Sequence, residues 1–340
     1  MKRIRIGLTL LLVIIMGAVL SSCLGSSPPH LDVGKTRNIH MIVKMNRGDY
    51  WNTVKMGAEA AAREFNVKLT FKAPDTESDV KRQIAMVEDS IKERADVIIL
   101  AASSYMGLAQ VVDKAAFNRI PVISVDAEVG SARVTTYIGS NGYKAGQKSA
   151  ERLVQLLNGS GEIGILNFTN TSDQRESGPE SDFDYGARDA DERERGFLNY
   201  VARYPSVHVV DISYTPSVMA EAKELTRQML NKHPNLRGIA ALNETASQGA
   251  AAVLQERGLR RIKMVAFDSS PAMMEQIQEG IVQAAVIQNP FSNGYLAVKN
   301  AVEILQGIQV PERVDTGTKL IDLDNMLWPE NQKLLFPFVR

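Results

Sequence analysis

Four polar residues directly follow short apolar runs: Asp126 after 122–125, Asn243 after 239–242, Asp268 after 264–267 and Gln288 after 286–287. Carboxylates accept hydrogen bonds and carboxamides both donate and accept, so these groups converging on one crevice would hold a molecule rich in hydroxyls. Tyr50 and Trp51 add paired rings early in the chain, and a π face suits the C–H face of a sugar ring. An arginine can give bidentate donation to neighbouring hydroxyl oxygens. The combination points to a neutral polyol, and nothing in it performs a reaction. Taken singly, each of the four has a plainer role, because Asp and Asn also cap helices and start turns. The reading requires all four to converge, as they would outside the carboxyl ends of strands in an open parallel sheet.

Other chemistries lack their markers. Gly159, Gly161 and Gly164 spell G-x-G-x-x-G but follow a helix and open a strand, the reverse of the order that cradles a dinucleotide phosphate. A helix stop and a turn are expected there instead. Neither a G-x-x-x-x-G-K-[ST] loop nor a G-x-S-x-G elbow occurs, which removes the signatures of phosphoryl transfer and of many hydrolases. One cysteine, Cys23, and the scattered His30, His40, His208 and His233 make no zinc set or Cys/His dyad. Asp182, Asp184 and Gly186 hint at a calcium loop, but Arg193 stands where its bidentate Glu should be. No catalytic residue, metal or cofactor is expected, so the chain reads as a non-enzyme. Its 39 basic and 39 acidic residues cancel, leaving no global field to draw nucleic acid.

The elements that must position these groups are those of an α/β fold. Short runs rich in Ile and Val alternate with longer amphipathic stretches, the pattern of buried parallel strands and crossover helices. Strands are predicted at 39–43, 68–71, 97–100, 122–125, 163–166, 207–212, 238–242, 264–267 and 284–287. Over 79–93, Val80, Ile84, Val87 and Ile91 recur at helical spacing and should pack on a sheet. With 340 residues and this many strands, two lobes are expected, at roughly 100 to 200 residues per domain. No Pro/Gly linker separates them, which fits lobes joined by several crossing segments. The acidic stretch 173–195 reads as a long solvated loop entering a helix.

Lys2, Arg3 and Arg5 precede the uncharged run 6–20, an export signal too short to span a bilayer. It ends in Leu20-Ser21-Ser22-Cys23, which resembles the bacterial lipobox. Residues 1–22 are then a lipoprotein signal peptide, Cys23 carries diacylglycerol and an acyl chain such as palmitate, and 23–37 form a tether. The alternative is an uncleaved membrane helix with an incidental cysteine. The expected location is extracytoplasmic, lipid-anchored to the bacterial membrane.

In order and spacing, a set of motifs resembles the type I periplasmic binding proteins of the ribose-binding class. They are Tyr50-Trp51-Asn52-Thr53-Val54-Lys55-Met56-Gly57, Ile120-Pro121-Val122-Ile123-Ser124-Val125-Asp126, Tyr137-Ile138-Gly139-Ser140-Asn141, Arg193-Glu194-Arg195-Gly196-Phe197, His233-Pro234 before Asn243-Glu244, Val265-Ala266-Phe267-Asp268 and Gln288-Asn289-Pro290. The resemblance implies two Rossmann-like lobes joined by three crossings near Ser140, Gln288 and 316–319. The N-lobe would be 38–140 plus 289–317 and the C-lobe 141–288 plus 318–340. It further implies that Tyr50 and Trp51 face Phe267 across a sandwiched sugar ring, with Asp126, Arg193, Asn243, Asp268 and Gln288 as hydrogen-bonding groups and Ser140 as a minor contact. For Phe267 core packing, and for Arg193 a surface salt bridge, are the plainer alternatives. Ala101 and Ala127 stand where the resembling pattern has Asn and Arg, with Glu128, Ser103, Ser104 or Tyr105 as compensating candidates, so ribose itself is not the expected ligand. The implied function is a monomeric solute-binding protein that hands a monosaccharide or related polyol to an ABC permease. The alternative is a subunit presenting sugar occupancy to a sensor kinase or chemoreceptor. A sugar-responsive repressor would need a basic helix-turn-helix where this chain has its signal segment.

Overall fold

The structure, a computed structural model, describes residues 36–168 and 188–336. The signal segment, Cys23, and Asp182, Asp184 and Gly186 lie outside the described residues. From the start, β1 (Asn38–Ile42), α1 (Asp49–Glu64), β2 (Lys68–Lys72), α2 (Val80–Lys92), β3 (Val97–Leu100), α3 (Ala109–Phe117), β4 (Val122–Val125) and β5 (Val134–Gly139) alternate as a parallel sheet with crossover helices. The chain then enters α4 (Gly142–Leu156), β6 (Gly161–Phe168), α5 (Arg188–Val201), β7 (Val207–Thr215), α6 (Met219–Lys232), β8 (Leu236–Ala241), α7 (Glu244–Glu256), β9 (Lys263–Phe267), α8 (Pro271–Gln278) and β10 (Ala284–Ile287). It ends in α9 (Pro290–Leu305), β11 (Arg313–Asp315), β12 (Lys319–Asp322) and α10 (Pro329–Leu335).

Two sheets result, ordered β11-β5-β4-β3-β1-β2 and β12-β10-β9-β8-β6-β7. All pairings are parallel except β10 with β12. The two α/β lobes follow from the strand sequences, which are buried on both faces: β3, β4 and β10 are buried throughout, as parallel strands covered by helices must be. The chain passes between lobes three times, after β5, after β10 and between β11 and β12. Ser140 and Gln288 sit at the first two passages, joined by a 2.6 Å hydrogen bond from Ser140 Oγ to Gln288 Oε1.

Each lobe places a helix pair unusually close. A Cβ on Gly57 in α1 would collide with the Phe291 carbonyl oxygen in α9, and one on Gly294 with the Val54 carbonyl oxygen. The other lobe repeats this between α4 and α5, where Gly146 faces the Arg193 carbonyl and Gly196 the Tyr143 carbonyl. The Gly146 contact lies against the backbone of Arg193.

All nine predicted strands are present, three with the predicted bounds and six with shifted ends, and three more accompany them: β5, β11 and β12. Two threonines interrupt the apolar pattern of β5, while β11 and β12 are short edge strands with charged residues at their ends. The predicted helix over 79–93 appears as α2, with the Asp79 side chain accepting from the Arg82 N–H as its cap. Its polar Gln83 is also fully buried, donating to the Val43 and Ala101 carbonyls and accepting from the Ser103 N–H. Gly159, at a φ of 74°, ends the turn after α4, and β6 begins at Gly161.

Candidate functional site

The carboxyl ends of both sheets face one interlobe cleft. Asp126 and Asp268 occupy matching places in the two lobes, one after β4 and the other after β9. Both have left-handed backbones, with φ of 65° and 63°, a conformation Asp tolerates better than most residues. Each backbone N–H still donates to the neighbouring strand, Asp126 to the Ile138 carbonyl at 2.8 Å and Asp268 to the Val286 carbonyl at 3.0 Å. The sharp turn after the strand brings each carboxylate to the cleft wall.

From the N-lobe, α1 brings Tyr50 and Trp51, whose rings meet edge to face with centroids 5.0 Å apart. The Tyr50 hydroxyl donates to Asp126 Oδ1 and accepts from Asn293 Nδ2 at 3.1 Å. Trp51 Nε1 donates to Glu77 Oε1 at 3.1 Å. Lys44, just past β1, lies 3.4 Å from Asp126 Oδ2 and 2.7 Å from Asp189 Oδ1 on α5. Arg193, one turn further along α5, pairs with Asp189 at 3.2 Å, donates to the Leu242 carbonyl at 2.8 Å and lies over the Phe267 ring. Gln288 donates to Asp268 Oδ1 at 3.0 Å.

Charge and burial compete strongly here. Burial pulls the Lys44 ammonium down, but Asp189, Asp126 and Glu77 outweigh it and hold it above its ordinary value. Burial likewise opposes the Arg193 charge and is overcome by Asp189, Asp268 and Asp126. Asp189 is pushed up by burial, yet Lys44 and Arg193 bring it below the usual carboxylate range. Asp126 stays above that range because burial exceeds the help of Lys44 and Arg193. Burial carries Asp268 to about 6, with Arg193 and Gln288 only partly offsetting it. Glu244 reaches about 7, through burial and then the nearby Asp268.

Several contacts already span the cleft. Glu244, first residue of α7, accepts from the Asp49 N–H at 3.0 Å and the Tyr50 N–H at 3.2 Å, capping a helix N-terminus of the opposite lobe. Ser217 donates to Glu77 at 2.8 Å and accepts from Asn243 Nδ2 at 2.9 Å. The free space among these side chains is about 30 Å³, roughly one water's share of liquid volume.

Of the residues expected from sequence, Tyr50, Trp51, Asp126, Arg193, Asn243, Asp268 and Gln288 line this cleft. Asn243 also caps α7, accepting from the Ala246 N–H at 2.8 Å, while standing on the cleft wall. Ser140 stands beside the cleft, bonded to Gln288 at the crossing. Phe267 is not brought to the cleft wall: it is fully buried in the C-lobe core, with the Arg193 guanidinium against its ring. Its position on an inward-facing strand residue dictates that burial, and the aromatic lining from that lobe is Phe168 at the end of β6. Arg193 is buried, with Asp189 as its ion-pair partner rather than Glu192 or Glu194. Glu128 is engaged by Arg313, and the Tyr105 ring lies under the Arg188 guanidinium.

Lys44, Glu77, Phe168, Asp189 and Glu244 also line the cleft, and residue type alone did not single them out. Lys44 carried a signal, since it stands directly beyond an apolar strand like the four residues that were chosen. Glu77 stands just before the helix predicted over 79–93, and Asp189 lies in the stretch read as a solvated loop entering a helix. Among the described residues, no group of three or more His, Cys, Asp or Glu side chains is arranged to hold a metal ion.

The periplasmic binding protein domain profile matches residues 39–309. The chain belongs to this family. The periplasmic binding protein fold also accounts for the structural likenesses. A carbohydrate transporter solute-binding protein from Agrobacterium radiobacter in complex with D-arabinose superposes with a TM-score of 0.82 at 25% identity, over 89% of this chain and 99% of that one. An ABC transporter solute-binding protein from Agrobacterium vitis with bound D-fucose gives 0.81 at 26% identity, over 88% and 100%. In sequence, the chain is 23% identical to the ribose import binding protein of Bacillus subtilis over 319 residues, 94% of this chain and 98% of that protein. Periplasmic binding proteins of this kind work outside the cytoplasm.

Proposed function

We propose that this protein is the extracytoplasmic solute-binding component of an ABC importer, capturing a monosaccharide-like ligand between two closing lobes and delivering it to the permease. One observation carries the reading: equivalent strand-end aspartates of the two lobes, Asp126 and Asp268, face one cleft together with the buried guanidinium of Arg193. Ligand that bridges both lobes favours the closed shape by its differential affinity for it, and that shape is what a permease can read. The sugars bound by the A. radiobacter and A. vitis proteins and the import role of the B. subtilis relative agree with this. A sensing subunit is not favoured by relatives named for import. Binding and closure suffice for the role, which needs no covalent chemistry, metal or cofactor.

The finer parts of the proposal concern the chain's division and anchorage. The lobes comprise 38–140 plus 289–317 and 141–288 plus 318–340, and the protein acts as a monomer. Lys2, Arg3, Arg5, the uncharged run 6–20 and the Leu20-Ser21-Ser22-Cys23 sequence support a lipid anchor at Cys23. Replacing Cys23→Ser then removes the protein from the membrane fraction or blocks its processing; undiminished retention contradicts the anchor.

A thermal-shift panel of pentoses, hexoses, polyols and inositols tests the main proposal. At least one should raise the melting temperature by several degrees through linkage. No shift from any of them at millimolar concentration would overturn it.

A further inference from the structure

The charges facing the cleft do not balance. Its cations are Lys44 and Arg193, and its acids are Glu77, Asp126, Asp189, Glu244 and Asp268. The two cations pair with only two of these acids, Lys44 with Asp126 and Asp189, and Arg193 with Asp189. Among the described residues, Glu77, Glu244 and Asp268 form no ion pair within 4.0 Å; Lys44 acts on Glu77 and Arg193 on Asp268 only from beyond that distance. Neutral donors meet them instead: Trp51 and Ser217 at Glu77, two backbone N–H groups and Gln248 at Glu244, Gln288 at Asp268. Glu77 and Asp268 are more than nine-tenths buried, where a carboxylate without a countercharge is costly.

We propose that the ligand is a monosaccharide bearing a protonated amine, whose ammonium supplies the countercharge that Glu77, Glu244 and Asp268 lack. This rests on the reading of the cleft as a monosaccharide site. The acids are too dispersed to converge on one metal ion, so the missing charge belongs to an organic cation, which offers three N–H donors beside several hydroxyls. The cleft already practises this recognition on its own chain, holding the Lys44 ammonium between carboxylates of opposite lobes. Residue 127, next to Asp126, is a buried alanine and adds no positive charge.

Calorimetric titration at neutral pH decides the matter, using mono-amino pentoses and hexoses with the amine at each ring position, their neutral parents and their N-acetyl derivatives. At least one amine should bind tenfold or more tightly than its neutral parent, and acetylation, which removes the charge, should abolish that advantage. Neutral sugars binding as tightly as, or more tightly than, every amine would overturn the inference and leave the sugar-binding reading intact. Binding by none of the three groups would overturn both. Glu77→Gln, Glu244→Gln and Asp268→Asn, each checked for a cooperative melt, provide a second reading. At least one should reduce the amine-to-parent preference to about twofold; an unchanged preference in every variant that folds would also overturn the inference.

Discussion

Lys44 and Asp189 belong to opposite lobes, and their side chains meet at 2.7 Å across the cleft. The pair ties the two lobes together, and Asp126 shares the same ammonium at 3.4 Å. Removing one partner of a buried ion pair costs about 3–5 kcal/mol when the other stays buried. In Lys44→Met, opening the lobes lets Asp126 and Asp189 regain water and relieves part of that cost. Small-angle X-ray scattering of the unliganded variant should therefore show a larger radius of gyration than the parent protein. Superimposable scattering curves would contradict this.

Gly146 tests how helix packing sets the site. A Cβ there collides with the Arg193 carbonyl, so Gly146→Ala must push α5 away from α4. Overpacking of this kind costs about 1–3 kcal/mol, and here it also displaces the arginine. The variant should melt several degrees lower and bind sugar at least several-fold more weakly, although residue 146 does not line the cleft. Unchanged affinity measured by calorimetry would mean that α5 adjusts without moving Arg193.

Acidity should favour the closed, folded form. Glu244, ordinarily near 4.5, is pushed up to about 7, and Asp268, ordinarily near 3.8, to about 6. Around Glu244 stand Asp268 and Asp49, which raise it, and the Asp49 and Tyr50 N–H groups, which lower it. Around Asp268 stand Arg193 and Gln288, which lower it, and Asp126 and Asp189, which raise it. Both acids hold protons in the folded chain that the unfolded chain releases, so stability is greatest below the unfolded values and falls as pH rises through the folded ones. Between about pH 5 and pH 8 the melting temperature should drop by several degrees, and Glu244→Gln should flatten the slope. A melting temperature that climbs steadily across that range would contradict the assignment.

The strands were legible wherever they are buried on both faces: 97–100, 122–125 and 284–287 match β3, β4 and β10 residue for residue. Edge strands β11 and β12 lack that apolar continuity, because solvent meets one side of them. Within the cleft, polar residues after apolar strands carried the signal for Asp126, Asn243, Asp268 and Gln288. Phe267 misled because a strand-end aromatic can face either way, and its burial depends on the C-lobe core around it. Asp189 was hidden for another reason. Its pairing with Lys44 spans 145 positions of sequence, and only the docking of the lobes creates it. The excess of acid was hidden in the same way, since it exists only once five separated carboxylic residues share one space.

Titration calorimetry of the best-binding monosaccharide against Asp126→Ala, Arg193→Ala and Asp268→Ala tests the central claim most directly. Each substitution removes a group facing the cleft and leaves others there unpaired, so affinity should fall by about 100-fold or more in all three. Parent-like affinity in all three variants would contradict the account.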